Sequence, residues 1–207
     1  MKIFYHPASP FVRKVHVTAL ELGLDDRLEK LTSAAHPIRR DANIVKFNPT
    51  GKVPAFFTDS DEPLYDSRVI CEYLDHVDGR SIIFPTPGEA RWRALREQAI
   101  GDGLLDAALL ARYELTVRPP EMVWLPWREG QLDKVRSSLD EIEARVDAFG
   151  DRFDIGTLTI ACALGYLDFR FADFDWRTAH PKAAAWFKHV SERPSLAQSF
   201  PRDLNAR

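Results

Sequence analysis

Ser9 stands directly before Pro10 and an apolar helical run, and the pair could do chemistry. Serine is a strong helix N-cap, and proline at the first helical position loses no needed hydrogen bond, so capping alone would account for it. The same geometry has a second use. A helix N-terminus aims N–H groups and the positive end of a dipole at whatever lies before it, so it favours anions, and a hydroxyl there can donate to a thiolate. Val53-Pro54 is the second feature. One reading is a trans proline on a free strand edge. The other is a cis bond, which costs only ~0.5–1 kcal/mol at X–Pro and would turn the preceding backbone N–H and C=O toward a peptide-like ligand. Asp66-Ser67, an acid and a hydroxyl at a helix start, is the third. Ordinary capping explains it. So would a grip on a ligand carboxylate by the Ser67 side chain and N–H, with Asp66 meeting an ammonium.

The elements that must position these residues fall into two halves. Lys2 to Tyr5 is a short β-type run stopped by His6-Pro7, and a helix follows from Ser9-Pro10 to a glycine stop at Gly23. Leu28 to Leu31 suggests a second strand, and residues 32–48 a loop with a short helix. After the turn signal Asn48-Pro49-Thr50-Gly51, residues 53–58 read as a strand and 59–62 as a hairpin turn, with Leu64-Tyr65 as the partner strand. Ser67 then reads as the N-cap of a helix with the apolar stripe Val69, Ile70, Tyr73, Leu74 and Val77. That order predicts a small α/β domain with a mixed sheet over residues 1–78. Residues 79–88 form a punctuated linker. Residues 89–207 carry helical patterns alone, from Glu89 to about Tyr113, Gly130 to Ala148, Thr157 to about Phe169, and a last helix opened by His180-Pro181. The second domain is expected to be all-α.

Composition narrows the function. The 207 residues carry 28 Lys+Arg against 31 Asp+Glu, a net charge of −3 with interleaved signs, which argues against a nucleic-acid binder. No apolar run approaches the roughly 20 residues needed to span a bilayer. The N-terminus reaches His6-Pro7 before an export signal's apolar region could form, so a soluble cytosolic protein is expected. Cys71 and Cys162 fall in apolar helical surroundings and read as buried, inert thiols. The six histidines show no ligand spacing, and no metal site is predicted.

Three stretches together carry a resemblance. Ser9-Pro10-Phe11-Val12-Arg13-Lys14-Val15, Asn48-Pro49-Thr50-Gly51-Lys52-Val53-Pro54 and Asp66-Ser67 through Tyr73-Leu74 resemble the glutathione S-transferase family, in particular its bacterial serine-type members. The helical half resembles that family's C-terminal domain. The resemblance implies a thioredoxin-like N-terminal domain that binds glutathione, and a homodimer. Ser9 matches the position that hydrogen-bonds the glutathione sulfur, and Val53 the residue before the cis-proline that pairs with the cysteinyl part. Asp66 and Ser67 match the pair holding the γ-glutamyl end, and Lys52 a position that helps with ligand carboxylates. For the glycyl carboxylate the resemblance leaves His36 and Arg39 open as alternatives and assigns neither. One departure stands out: the interior helix of the family opens with a Ser/Thr-x-x-Asp capping box, whereas Thr157-Leu158-Thr159-Ile160 has isoleucine where the acid is usual.

The activity so implied is nucleophilic transfer of glutathione thiolate to a hydrophobic electrophile, with Ser9 catalytic. Phe11, Tyr113, Trp124 and Trp127 are aromatic candidates for the co-substrate's walls, and equally for core or interface packing. Residues 114–128, interrupted by Pro119-Pro120 and Pro126, read as a loop over that site. A second class is a non-catalytic glutathione-dependent binding or carrier protein. A thiol–disulfide oxidoreductase is disfavoured, because serine stands where such an enzyme needs cysteine.

Overall fold

The computed structural model describes residues 1–203. The chain divides into two compact units, one comprising residues 1–91 with the segment from Ala197 onward, the other residues 92–196. Within the first unit, β1 (Lys2–Tyr5) leads into α1 (Pro10–Leu22), a 3-10 turn at Asp25–Arg27, β2 (Glu29–Thr32) and the short α2 (Ala42–Val45). The hairpin β3 (Phe56–Phe57) and β4 (Pro63–Leu64) precedes α3 (Ser67–Asp78). The sheet order is β2-β1-β3-β4, with β1 parallel to β2 and antiparallel to β3. This is the thioredoxin-like α/β arrangement expected. Two elements are shorter or shifted: pairing begins at Phe56 rather than residue 53, because Pro54 has no N–H to give a ladder, and β4 sits one residue earlier than read.

Strand alternation sorts the layers. Phe4 and Phe57 pack with Ile44 and Ala55 on one face, where α2 lies, with Leu31, Phe47 and Val53 at the margin. On the opposite face Tyr5 meets His16 of α1, and Phe56 meets Tyr73 of α3, with ring centroids 5.5 and 5.6 Å apart. Thr18 of α1 donates to the buried Cys71 Sγ of α3 at 3.3 Å. α1 is covered on nearly every side: even Arg13 and Lys14 are buried. The last segment accounts for part of this, since Arg13 Nε donates to Ser199 Oγ at 3.4 Å and its guanidinium lies over the Phe200 ring. The stretch after α3 is pinned to this unit as well, Asp75 accepting the Ile83 and Phe84 amides at 2.8 and 3.1 Å.

The second unit is all-α: α4 (Glu89–Thr116), α5 (Leu125–Arg145), α6 (Ile155–Arg170) and α7 (Pro181–Val190), followed by the short α8 (Pro194–Gln198). α6 is buried along most of its length, as its uniformly apolar surface requires. α4 and α6 approach closely at two glycines. A β-carbon on Gly156 would stand 2.7 Å from the Ala94 carbonyl, and one on Gly101 2.8 Å from Thr159 Cγ2. The expected loss of a capping box is corrected. Thr157 is the third residue of α6, not its cap, and Asp154 caps the helix by accepting the Gly156 and Thr157 amides at 3.0 and 3.3 Å, while Thr157 Oγ1 accepts the Asp154 N–H at 3.2 Å. The box is complete with its two side chains exchanged. Arg152 joins it to α4, contacting Asp154 at 2.6 Å and Glu97 at 3.1 Å. Among the described residues no helix is long and apolar enough to cross a membrane.

Two outcomes follow from this packing. Asp154→Ala removes the cap and one partner of Arg152, and should cost about 1–2 kcal/mol in denaturant unfolding. His16 lies 2.9 Å from Lys30 Nζ and 3.1 Å from Asp25 Oδ1, and burial together with Lys30 holds its imidazole below the usual histidine range despite the aspartate. Between that lowered value and about 6.5 the unfolded chain binds more protons than the folded one, so stability should fall as pH drops through this window. His16→Gln should flatten that part of a plot of melting temperature against pH; an unchanged slope would refute the assignment.

Candidate functional site

Because β1 and β3 are antiparallel, Tyr5 at the end of β1 lies beside the segment that enters β3, and Phe4 N–H donates to the Ala55 carbonyl at 2.9 Å. β4 runs back along β3 with Leu64 opposite Phe56, so Tyr65 and Asp66 return to the same end of the sheet. Ser9, Val53 and Asp66–Ser67 are thereby brought to one sheet end from three separate connections.

Ser9 caps α1 in extended conformation, its Oγ accepting Val12 N–H at 3.3 Å. Its own N–H donates to the His6 carbonyl at 3.0 Å, and Ala8 N–H to His6 Nδ1 at 3.2 Å, which folds the residues before the helix into a tight turn. A serine hydroxyl carries two lone pairs and one proton, so capping uses a lone pair and leaves the proton to be donated elsewhere. The two readings of Ser9 are therefore compatible. Pro10 has no N–H, Val12 is bound by Ser9 Oγ, and Arg13 N–H donates to the Ser9 carbonyl at 3.0 Å. Among the described residues this leaves Phe11 as the first-turn amide without a partner. The expectation of several first-turn donors reduces to one amide and one hydroxyl. No acid lies in the first turn of α1 to neutralise its pole.

The Val53–Pro54 bond is cis, the second of the two readings. The loop before it is organised by Asn48, which is 1% exposed and whose role the sequence did not reveal beyond marking a turn. Its Oδ1 accepts the Thr50 N–H at 3.1 Å and the Thr50 hydroxyl at 2.8 Å, and its Nδ2 donates to the Lys52 carbonyl at 2.9 Å. Lys52 is exposed on this loop and Val53 half-buried. α3 begins one residue away from expectation. Asp66 is the N-cap, accepting Arg68 N–H at 2.9 Å, and Ser67 is the first helical residue and buried. Again no acid occupies the first turn. Two helix poles thus open at one sheet end, that of α1 with no acid on it and that of α3 faced by the Asp66 carboxylate that caps it. A zwitterion with additional carboxylates suits such a place.

His36 Nδ1 accepts the Ile38 and Arg39 amides at 3.2 Å each, so it orders its own loop, and Arg39 is exposed. Phe11 is half-buried on α1. Tyr113, Trp124 and Trp127 belong to the second unit. Burial pushes the Tyr113 hydroxyl's pKa up, while Trp124 and Trp127 are 62% and 41% exposed. The segment read as a loop over residues 114–128 is more ordered than that: a 3-10 turn spans Pro120–Met122 and α5 starts at Leu125, with Pro126 in its first turn. Glu114, unforeseen from sequence, orders the region. Its buried carboxylate accepts Trp124 N–H at 2.7 Å and pairs with Arg118 at 2.8 Å, and those partners hold its pKa below the usual range.

Comparison with known proteins follows the same two units. Residues 8–77 match the family described as glutathione S-transferase, N-terminal domain, and residues 126–189 match glutathione S-transferase, C-terminal domain. The structure is similar to that of a glutathione transferase family member from Pseudomonas fluorescens Pf-5 with bound glutathione, at 44% identity and TM-score 0.94, covering 97% of this chain and 98% of the other. A second structure from that organism, with bound S-(propanoic acid)-glutathione, has the same identity and coverage and a TM-score of 0.89. A curated relative from Escherichia coli (strain K12), an uncharacterised GST-like protein called YibF, is 31% identical over 97% of this chain and 98% of its own length.

The capping geometry of Asp66 separates two of its properties. Asparagine caps about as well as aspartate, so Asp66→Asn should leave unfolding free energy within about 0.5 kcal/mol, whereas Asp66→Ala should cost about 1 kcal/mol. Urea unfolding of the two variants checks this, and equal losses would deny Asp66 the capping role.

Proposed function

The chain belongs to the glutathione S-transferase family, and from that footing we propose that it is a serine-type transferase in which Ser9 stabilises glutathione thiolate for attack on a hydrophobic electrophile. The observation that carries the reading is the Ser9 hydroxyl at the cap of α1, with its proton still to give and no acid in the first helical turn. Similar chains with glutathione and with an S-alkylated glutathione bound support it, the second being the kind of thioether such a transfer yields.

Glutathione's sulfur attacks only as thiolate. A thiol of pKa ~8.5 is only ~3% ionised at pH 7, and lowering the pKa by ~2 units, which needs about 2.7 kcal/mol, makes it roughly three-quarters thiolate. One charge-assisted hydrogen bond contributes ~1.5–3 kcal/mol. A helix pole adds up to ~2 kcal/mol when partly buried. Ser9 and the pole of α1 with Phe11 N–H supply the shift together. The thiol proton goes to solvent, and the thiolate then forms a carbon–sulfur bond as the electrophile's leaving group departs with its electron pair, or as an activated double bond takes up the charge and is then protonated by solvent.

In this assignment residues 1–78 form the glutathione-binding domain, residues 79–88 the linker and residues 89–207 the helical domain. The Val53 backbone holds the cysteinyl part, Asp66 and Ser67 hold the γ-glutamyl end, and Lys52 meets a carboxylate. Contacts to the apolar co-substrate are assigned to Phe11, Tyr113, Trp124 and Trp127. By family resemblance we take the enzyme to be a cytoplasmic homodimer that needs no metal.

Ser9→Ala should raise the bound thiol's pKa, read by ultraviolet thiolate absorbance, and cut turnover of a chloroarene by about 10- to 100-fold, with glutathione affinity kept within a few-fold. Full activity in the variant would remove Ser9 from the mechanism. Tight binding of hydrophobes by the wild-type protein with no turnover of any electrophile would favour a carrier.

A further inference from the structure

Arg40 braces the loop that carries Lys52 and Val53 from a different part of the chain. Its Nη2 donates to the Pro49 carbonyl. Its guanidinium also covers Gly51: a β-carbon on that residue would stand 3.0 Å from Arg40 Nε and 3.4 Å from Nη2, with Val45 Cγ2 of α2 at 3.3 Å on the same glycine. Gly51 has φ +68° and is buried although it lies in a loop. A side chain there would meet both a backbone penalty and the arginine. Asn48 holds the same turn from within, through its bonds to Thr50 and to the Lys52 carbonyl, and Gly51 N–H donates to the Asn48 carbonyl at 2.9 Å. Arg40 is itself set in place by its neighbour. Asp41 caps α2 by accepting Asn43 N–H at 2.9 Å and accepts Ala34 N–H at 3.0 Å, tying both ends of the segment before Arg40.

We propose that Arg40 is a positioning residue: it clamps the Pro49–Gly51 turn so that Lys52 and the Val53 backbone are presented in a fixed geometry, and it sets glutathione affinity without touching the ligand. This rests on the reading that the loop binds glutathione. A misplacement of about 1 Å in groups that orient a substrate is enough to cost large factors, so a remote clamp of this kind has measurable weight. The competing role for a cation in this segment is a direct ion pair with the glycyl carboxylate, and the two roles respond differently to removal of the glycine.

Two measurements on Arg40→Ala, with Arg40→Lys beside it, decide the matter. Hydrogen–deuterium exchange on the unliganded protein should quicken at least about tenfold at the Thr50 and Gly51 amides with β1 unaffected, and Arg40→Lys should recover part of the protection, since its ammonium can still donate to Pro49. Unchanged exchange overturns the clamp whatever the ligand proves to be. Dissociation constants for glutathione and for γ-glutamylcysteine, which lacks the glycine, should then both rise by the same factor in Arg40→Ala, about 5- to 20-fold, with the rise appearing in KM and not in kcat. A loss confined to glutathione overturns the proposal in favour of direct contact. Wild-type protein that binds neither thiol overturns the functional reading and the positioning role with it, while the exchange result still reports on the clamp alone.

Discussion

Because β1 and β3 run antiparallel, the end of one strand and the entry to the other share an end of the sheet, and the hydrogen bond from Phe4 N–H to the Ala55 carbonyl fixes that coincidence. Neither strand is long. What they supply is registration: Ser9 is four residues past the end of β1, Pro54 two residues before β3, and Asp66 two residues after β4. Had β3 been parallel to β1, the cis Val53–Pro54 bond would open at the opposite end from the α1 cap. The aromatic contacts on the two faces of the sheet keep this short ladder from fraying, with Phe57 against Phe4 and Phe47 on one side, and Tyr73 against Phe56 on the other.

The site built there is made mostly of backbone. The pole of α1 owes its strength to the lack of an acid in its first turn, and the side chains at the starts of α1 and α3 cap the helix while keeping a group to spare. Ser9 retains a proton, and Asp66 can accept further bonds beyond the one from Arg68 N–H. On the proposed function, stability and ligand chemistry draw on the same atoms. Fold and function are hard to separate by mutation here unless a substitution preserves one role, as asparagine does at position 66.

Much of this was legible in the residues. Ser9-Pro10 and Gly23 bracket α1 because N-cap, first-turn proline and left-handed glycine each have one strongly preferred place. The start of α3 was misplaced by one residue because aspartate and serine are equally good caps and stand side by side. The exchanged capping box of α6 was missed for a related reason: the pair Asp154 and Thr157 satisfies the same two backbone donors in either order, and only the usual order was sought. Pro126 was read as an interruption although proline belongs naturally in a first turn, so α5 was begun five residues late. The burial of Arg13 has no local signature either, because the segment that covers it is far away in the chain. Asn48, Glu114 and Arg40 escaped for one common reason. Each acts by a side-chain bond to backbone, within its own turn for Asn48 and to a separate stretch for Glu114 and Arg40, and such bonds leave no trace in periodicity or composition.

The contact between Arg13 and the Ser199–Phe200 segment bears on the order in which the protein assembles. Arg13 lies in a helix made before any of the second unit, whereas Ser199 and Phe200 emerge only after every helix of that unit has been translated. For the whole of that interval the nascent first unit must carry this arginine without its final cover. Its last piece of packing therefore waits on the synthesis of the second unit, so the first unit is finished by residues that follow the second along the chain.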